Sequence, residues 1–192
     1  MKENIFDIRN IYRISEDKKR VYIDIQLDFY REIYSVWDFS PIANRDLDED
    51  LFEYLEACAV EIPPKYKIVI VFHIPHEIRD NDKETKSIAA YKNFFNYRIR
   101  RIKAQQNNKS KSIFLYLLLG IICITSSILI NRYFPENIIS IFFSEGLTIG
   151  SWVVFWELFY FIFFARAEVK KEEKIMKRLA GSDIEYKYRS AN

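Results

Sequence analysis

The stretch IFLYLLLGIICITSSILI, Ile113–Ile130, runs for 18 residues without a charge. At about 1.5 Å of rise per residue, a helix of this length suits a hydrocarbon core of about 30 Å. A second run, Gly146–Ala165, carries a single charged residue, Glu157, in 20. Neither run has the polar face that a helix on the surface of a soluble core displays. The whole-chain averages, a mean hydropathy of −0.16 and 49% hydrophobic residues, conceal this division, because residues 1–112 are rich in charge. The two runs predict membrane spans at about 113–130 and 146–165, forming a transmembrane helical hairpin over 109–165 in the lipid bilayer.

The flanks orient that hairpin. Arg98, Arg100, Arg101, Lys103, Lys109 and Lys111 precede the first run, and Arg166, Lys170, Lys171, Lys174, Lys177 and Arg178 follow the second. The connecting stretch NRYFPEN, 131–137, contributes only Arg132. Positive charge accumulates on the cytosolic side, so a multi-pass inner-membrane protein with both termini in the cytoplasm is expected. The charged start MKENIFDIRN lacks the apolar core of an export signal. Cys58 and Cys123 are then a cytosolic and a membrane residue, and no disulfide is expected.

Outside the spans, residues 1–108 predict a cytosolic α+β domain. In RVYIDIQLD, 20–28, Val21, Ile23, Ile25 and Leu27 alternate with polar residues, as a strand with one buried face requires. Phe6, Ile8, Tyr12 and Ile14 precede it across the charged SEDKK, which predicts an N-terminal hairpin. YKIVIVFHI, 66–74, is almost continuously β-branched and predicts a central strand. Leu51, Tyr54, Leu55 and Cys58 share one helical face, and Ile88, Tyr91, Phe95, Ile99 and Ile102 share another. The second helix has no Pro or Gly before Gly120 and predicts a continuous run into the first span. A cytosolic tail, 166–192, predicts a helix ending near Gly181 and a strand in which Ile184, Tyr186 and Tyr188 alternate with charges. The fold class expected is therefore a small antiparallel sheet with two helices, a transmembrane hairpin and a C-terminal strand returning to the sheet.

Glu157 is the most informative functional candidate. At 100° per residue, Gly146, Gly150, Val153, Glu157 and Tyr160 lie within about 40° of one line. The small-xxx-small pair permits close approach of another backbone, whereas Phe155 on the opposite face suits lipid. Intramembrane acids face partners or water, so this stripe is expected at an interface or a pore, either in a homo-oligomer or along a hydrated path. Arg45, Asp46 and Asp48 carry two readings. Asp46 or Asp48 caps the following helix while an ion pair orders the loop, or the three form a surface for a cytosolic protein or small-molecule ligand.

Other chemistry finds little support. His73 and His76 flank a proline near Glu77, Asp80 and Asp82, but a zinc site needs a further ordered ligand, so no metal is expected. The four glycines, at 120, 146, 150 and 181, make no phosphate-cradling loop, and no nucleophile motif appears. No cofactor, catalytic residue or nucleic-acid partner is expected; the basic 98–111 stretch beside a span is explained by topology and anionic lipid.

SPIANRDLDED before a helix, together with EGLTIGSWVVFWE in the last span, resembles a family of bacterial two-span membrane proteins. The resemblance covers most of the chain and rests on Pro41, Arg45, Asp46, Leu47, Asp48, Gly150, Trp152 and Trp156. Members of that family carry a basic residue and a proline where this chain has Glu157 and Leu158. The resemblance implies the two-span architecture and a terminal helix and strand, and brings no activity with it. The function expected is a non-enzymatic, homo-oligomeric inner-membrane protein whose cytosolic domain binds a partner or ligand. A small effector that forms a membrane pore when that domain is triggered is the alternative.

Overall fold

The computed structural model describes residues 8–134 and 137–190. Phe6 of the expected hairpin and Pro135 and Glu136 of the connecting stretch lie outside these residues. The described residues are α+β, with a four-stranded mixed sheet and four α-helices, two of them long and apolar. It divides into two compact units, residues 1–100 with 173–192, and residues 101–172.

The first unit is built on the sheet, ordered β1 (Arg13–Ile14), β2 (Arg20–Gln26), β3 (Lys67–Pro75) and β4 (Asp183–Arg189). The expected hairpin is present only as two residue pairs, Arg13 with Tyr22 and Ile14 with Val21, because Ile8–Asn10 forms a 3-10 turn. Lys18, at φ 53°, turns the chain between the two strands.

The sheet is not antiparallel throughout. β2 pairs with β3 in parallel, and β3 pairs with β4 in parallel. The reason is connectivity: residues between β2 and β3 include helix α1 (Glu49–Glu61), and such a crossover lets the chain re-enter the sheet from the same end. Ile68 to Phe72 are all buried, so β3 is covered on both faces, as its unbroken apolar run requires. The register sets Ile70 between Ile23 and Ile184, and Phe72 beside Tyr186. The Tyr186 ring lies 5.5 Å from Phe72 and 6.1 Å from Tyr30. β4 is thereby joined to the core by both its backbone and its side chains.

Helix α1 buries Leu51, Phe52, Leu55, Cys58 and Ala59. Tyr54, expected on that stripe, is half exposed, and Phe52 takes its place, packing on Phe94 and Phe95 of helix α2 (Asn81–Tyr133). Three helical segments, not two, build this core. Helix α4 (Arg166–Ala180) contributes the buried Met176 and Leu179, and the Tyr91 hydroxyl of α2 donates to the Leu179 carbonyl at 3.1 Å.

Both ends of α1 are satisfied by side chains. The Asp48 carboxylate accepts from the amides of Asp50 and Leu51, relieving the unpaired first-turn N–H groups. At the other end, Arg178 donates to the carbonyls of Ala59, Ile62 and Pro63 at 2.6, 2.9 and 3.2 Å. A guanidinium there satisfies last-turn carbonyls and complements the negative end of the helix dipole.

The second unit contains α2 beyond Arg100, helix α3 (Ile138–Tyr160), a π-helical turn at Phe161–Ala165 and the start of α4. The Asn137 side chain caps α3 by accepting from the Ile139 amide. α3 therefore begins two turns before the expected start of the second span, and Glu145 lies within the helix. The apolar stretches of the two candidate spans are only 11% and 6% buried, so neither is a core helix of this chain.

The clamp and the cap differ in energy. In urea titrations of the detergent-solubilised full-length chain, read by hydrogen exchange at the β3 amides, Arg178→Ala should cost about 1.5–3 kcal/mol. Asp48→Ala should cost about 0.5–2 kcal/mol, and Asp46→Ala under about 0.5 kcal/mol. Equal losses at Asp46 and Asp48 would contradict this assignment of the cap.

Candidate functional site

Two regions hold the candidate residues, one in each unit. In the second unit, the polar contacts between α2 and α3 lie away from the predicted glycine stripe. The Ser127 hydroxyl meets the Ser144 carbonyl and the Thr148 hydroxyl, each at 2.8 Å. The Ser144 hydroxyl donates to Asn131 Oδ1 at 2.7 Å. Ser127, Ser144 and Ser151 are buried. Ser144, Thr148, Ser151 and Phe155 follow one helical stripe of α3, at spacings of four, three and four residues.

The close approach within the chain occurs at Gly120. A methyl group added there would meet the Phe155 ring at 3.3 Å and Val154 at 3.4 Å. Phe155, expected to face lipid, thus packs against α2. Positions descend along α2 from Asn131 through Ser127 to Gly120 as they rise along α3 from Ser144 through Thr148 to Phe155. The same register sets Leu118 at the level of Glu157.

Gly146, Gly150, Val153, Glu157 and Tyr160 occupy a face that this chain leaves uncovered. A methyl group added at Gly146 or Gly150 meets nothing within 4 Å. Val153, Glu157 and Tyr160 are exposed, and the Glu157 carboxylate has no hydrogen bond or ion pair among the described residues. An acid and two glycines stand on one open side of an apolar helix.

In the first unit, a concavity of about 520 Å³ opens beyond the C-terminal ends of β2 and β3. Phe29, Tyr30, Arg31 and Tyr34 come from the segment after β2, Ile42 and Arg45 from the loop before α1, and Glu77, Ile78, Arg79, Asp80 and Lys83 from the segment after β3. Parallel strands deliver these connections to one edge of the sheet, the position where open parallel sheets receive ligands. Of the three loop residues singled out from the sequence, Arg45 lines the concavity. Asp48 is occupied in capping α1. Asp46 takes part through its backbone, its amide donating to Asp38 Oδ2 at 2.7 Å and its carbonyl accepting from Ser35.

Each cation around the concavity lies on an aromatic ring. Arg31 sits 4.8 Å from the Phe29 centroid, Arg45 5.6 Å from Tyr34, Arg79 4.6 Å from Tyr188 and Lys83 5.9 Å from Tyr30. Such contacts hold a planar cation while leaving its edge free to donate. Arg45 also donates twice to the Ser40 carbonyl, fixing the loop. Lys83 pairs with Asp80 at 3.3 Å, and the Lys83 and Asp82 amides donate to the same carboxylate. Those amides and Lys83 hold the Asp80 carboxyl below its ordinary range, although partial desolvation acts against them.

The concavity rests on a tyrosine pair. Tyr30 and Tyr188 both donate to Glu84, at 3.0 and 2.8 Å, and Tyr30 accepts from the Asp80 amide. Burial pushes the Tyr30 hydroxyl up to about 12, so it remains a donor. Tyr188 belongs to β4, so the C-terminal strand supports this wall.

The two histidines are held apart in different roles. His73 Nε2 bonds Asp24 at 2.7 Å, whereas the His76 ring packs against Tyr188. Among the described residues, no three His, Cys, Asp or Glu side chains converge in a manner suited to a metal ion. No protein-family model, curated protein sequence or solved structure matches this chain.

Proposed function

We propose that this chain is a non-enzymatic, self-associating inner-membrane protein in which α2 and α3 cross the bilayer as a hairpin. Both termini are cytosolic, and the α+β unit receives a partner or ligand. The observation that carries the reading is the open face of α3, where Gly146, Gly150 and Glu157 stand without a partner on an apolar helix. An ionised acid at the helix centre costs about 2.5–3.5 kcal/mol on insertion scales, so it is retained where another helix or water receives it. Within one chain, the helix pair already uses the opposite stripe. A second copy supplies the missing neighbour, and the two glycines allow its backbone to approach.

The strand order gives the membrane reading independent support. β4 pairs with β3, so the intervening 101–172 segment must leave and rejoin the same unit. A membrane-crossing segment under that constraint crosses an even number of times. Two apolar helices meet the requirement, and the basic flanks orient them with the α+β unit in the cytosol.

The second reading is an effector that opens a pore when its cytosolic unit is engaged. The same unpartnered Glu157 favours it, because acids on uncovered membrane faces also line hydrated paths.

Gly150→Leu tests the face, since a Cβ added there meets no atom of another described element within 4 Å. The variant should insert normally but lose the assembly seen by light scattering in detergent. Glu157→Leu should weaken assembly about 3- to 30-fold, matching about 0.6–2 kcal/mol for a membrane hydrogen bond. Glu157→Gln should assemble normally. If that variant also loses ion flux in proteoliposomes, the pore reading holds; unchanged assembly of both Gly150→Leu and Glu157→Leu overturns self-association through this face.

A further inference from the structure

We propose that the concavity at the C-terminal edge of β2 and β3 binds a nucleotide, with phosphate held by Arg31, Arg45 and Arg79 and the base lying beside the exposed Phe29. The inference rests on the ligand-binding part of the function proposed above and names the ligand's chemical class.

Charge and geometry select the class. Four cations and two acids line the concavity, and the two acids are not equivalent. Asp80 is already committed to Lys83 and to two backbone amides. Glu77 has no hydrogen bond or ion pair among the described residues, leaving an acceptor for a base N–H. None of the three arginines has a carboxylate within ion-pair distance among the described residues, although Arg13 and Arg189 elsewhere in the unit do. Asp38 contributes field near Arg45, but its oxygens accept from the Ser40 and Asp46 amides.

Three guanidiniums line the concavity from three separate segments and match the several oxygens of a phosphate, Arg45 and Arg79 through the N–H groups that their bonds to the Ser40 carbonyl and to Asn81 leave free. Their aromatic supports restrict the side chains before a ligand arrives. The volume of about 520 Å³ falls within the ~300–1,000 Å³ of small-molecule sites. An extended acidic peptide would need a longer groove. The site uses arginine side chains for the phosphate, consistent with a sequence that has no glycine-rich loop. It also joins the C-terminal strand to recognition, because Arg79 lies on the Tyr188 ring and Tyr188 bonds Glu84.

The test is equilibrium dialysis of the full-length protein in detergent against radiolabelled ATP and GTP, with inorganic phosphate, adenosine and guanosine as competitors. At least one nucleotide should bind saturably, once per chain, and its nucleoside should compete roughly 100-fold less well. Arg31→Ala and Arg79→Ala should each weaken binding by roughly 10-fold or more, whereas Arg98→Ala, whose guanidinium lies over Phe52, should leave it unchanged. Gly150→Leu should abolish assembly and preserve binding, so failure of the assembly reading is separable from failure here. Absence of saturable binding to both nucleotides, or equal affinity for the Arg31→Ala/Arg79→Ala double variant, would overturn the proposal. Inorganic phosphate competing as tightly as the nucleotide would overturn the assignment of a nucleotide.

Discussion

The parallel pairing of β4 with β3 is the constraint on which the remaining architecture depends. β3 is buried on both faces and needs a neighbour on each edge. β2 supplies one, and the other is provided by residues more than a hundred positions later in the chain. The whole 101–172 segment is therefore an excursion between two elements of one sheet. Tyr186 fills the surface beside Phe72, the Leu179 carbonyl accepts from the Ser182 amide and hydroxyl in the turn into β4, and Arg178 binds the end of α1. An apolar excursion bounded in this way is compatible with a two-span hairpin and incompatible with a single crossing.

The two faces of α3 express different physical demands. One presents Ser144 and Thr148 to the Ser127 hydroxyl and the Asn131 side chain of α2, while the Ser151 hydroxyl donates to the Thr148 carbonyl within α3. Interhelical hydrogen bonds in membranes contribute about 0.6–2 kcal/mol each, enough to select a register when several act together. The other face offers space at two glycines and an unpartnered carboxylate. Under the membrane reading, burying that face against a second copy is favourable because the alternative leaves a polar group facing hydrocarbon.

Much of the fold was legible because local periodicity and burial coincide. Val21, Ile23 and Leu27 alternate and are buried; Tyr91 and Phe95 repeat helically and are buried. The alternation of Ile184, Tyr186 and Tyr188 likewise belongs to a strand of the sheet. Pairing direction was less accessible, since it depends on which edge a crossover reaches. The unbroken apolar run of β3 was the available signal for parallel neighbours. The small-residue pattern at Gly146 and Gly150 predicts close approach by another helix, but the close approach within the chain falls at Gly120, whose neighbours come from α3. Arg178 could not be assigned from spacing, because its carbonyl partners lie 115 to 119 positions away. The concavity was legible only at Arg45; its other walls are assembled from segments separated by the whole of α1.

The proposed function divides labour between a cytosolic receiver and a membrane hairpin. Its most direct test is site-specific labelling in intact cells of a Cys58→Ser/Cys123→Ser background, with one cysteine introduced at Asn137 or at Ser190. A membrane-impermeant maleimide should label the Asn137 position from outside and reach the Ser190 position only after the membrane is permeabilised. Labelling of Ser190 but not Asn137 in intact cells, or recovery of the chain in the soluble fraction, would contradict the account.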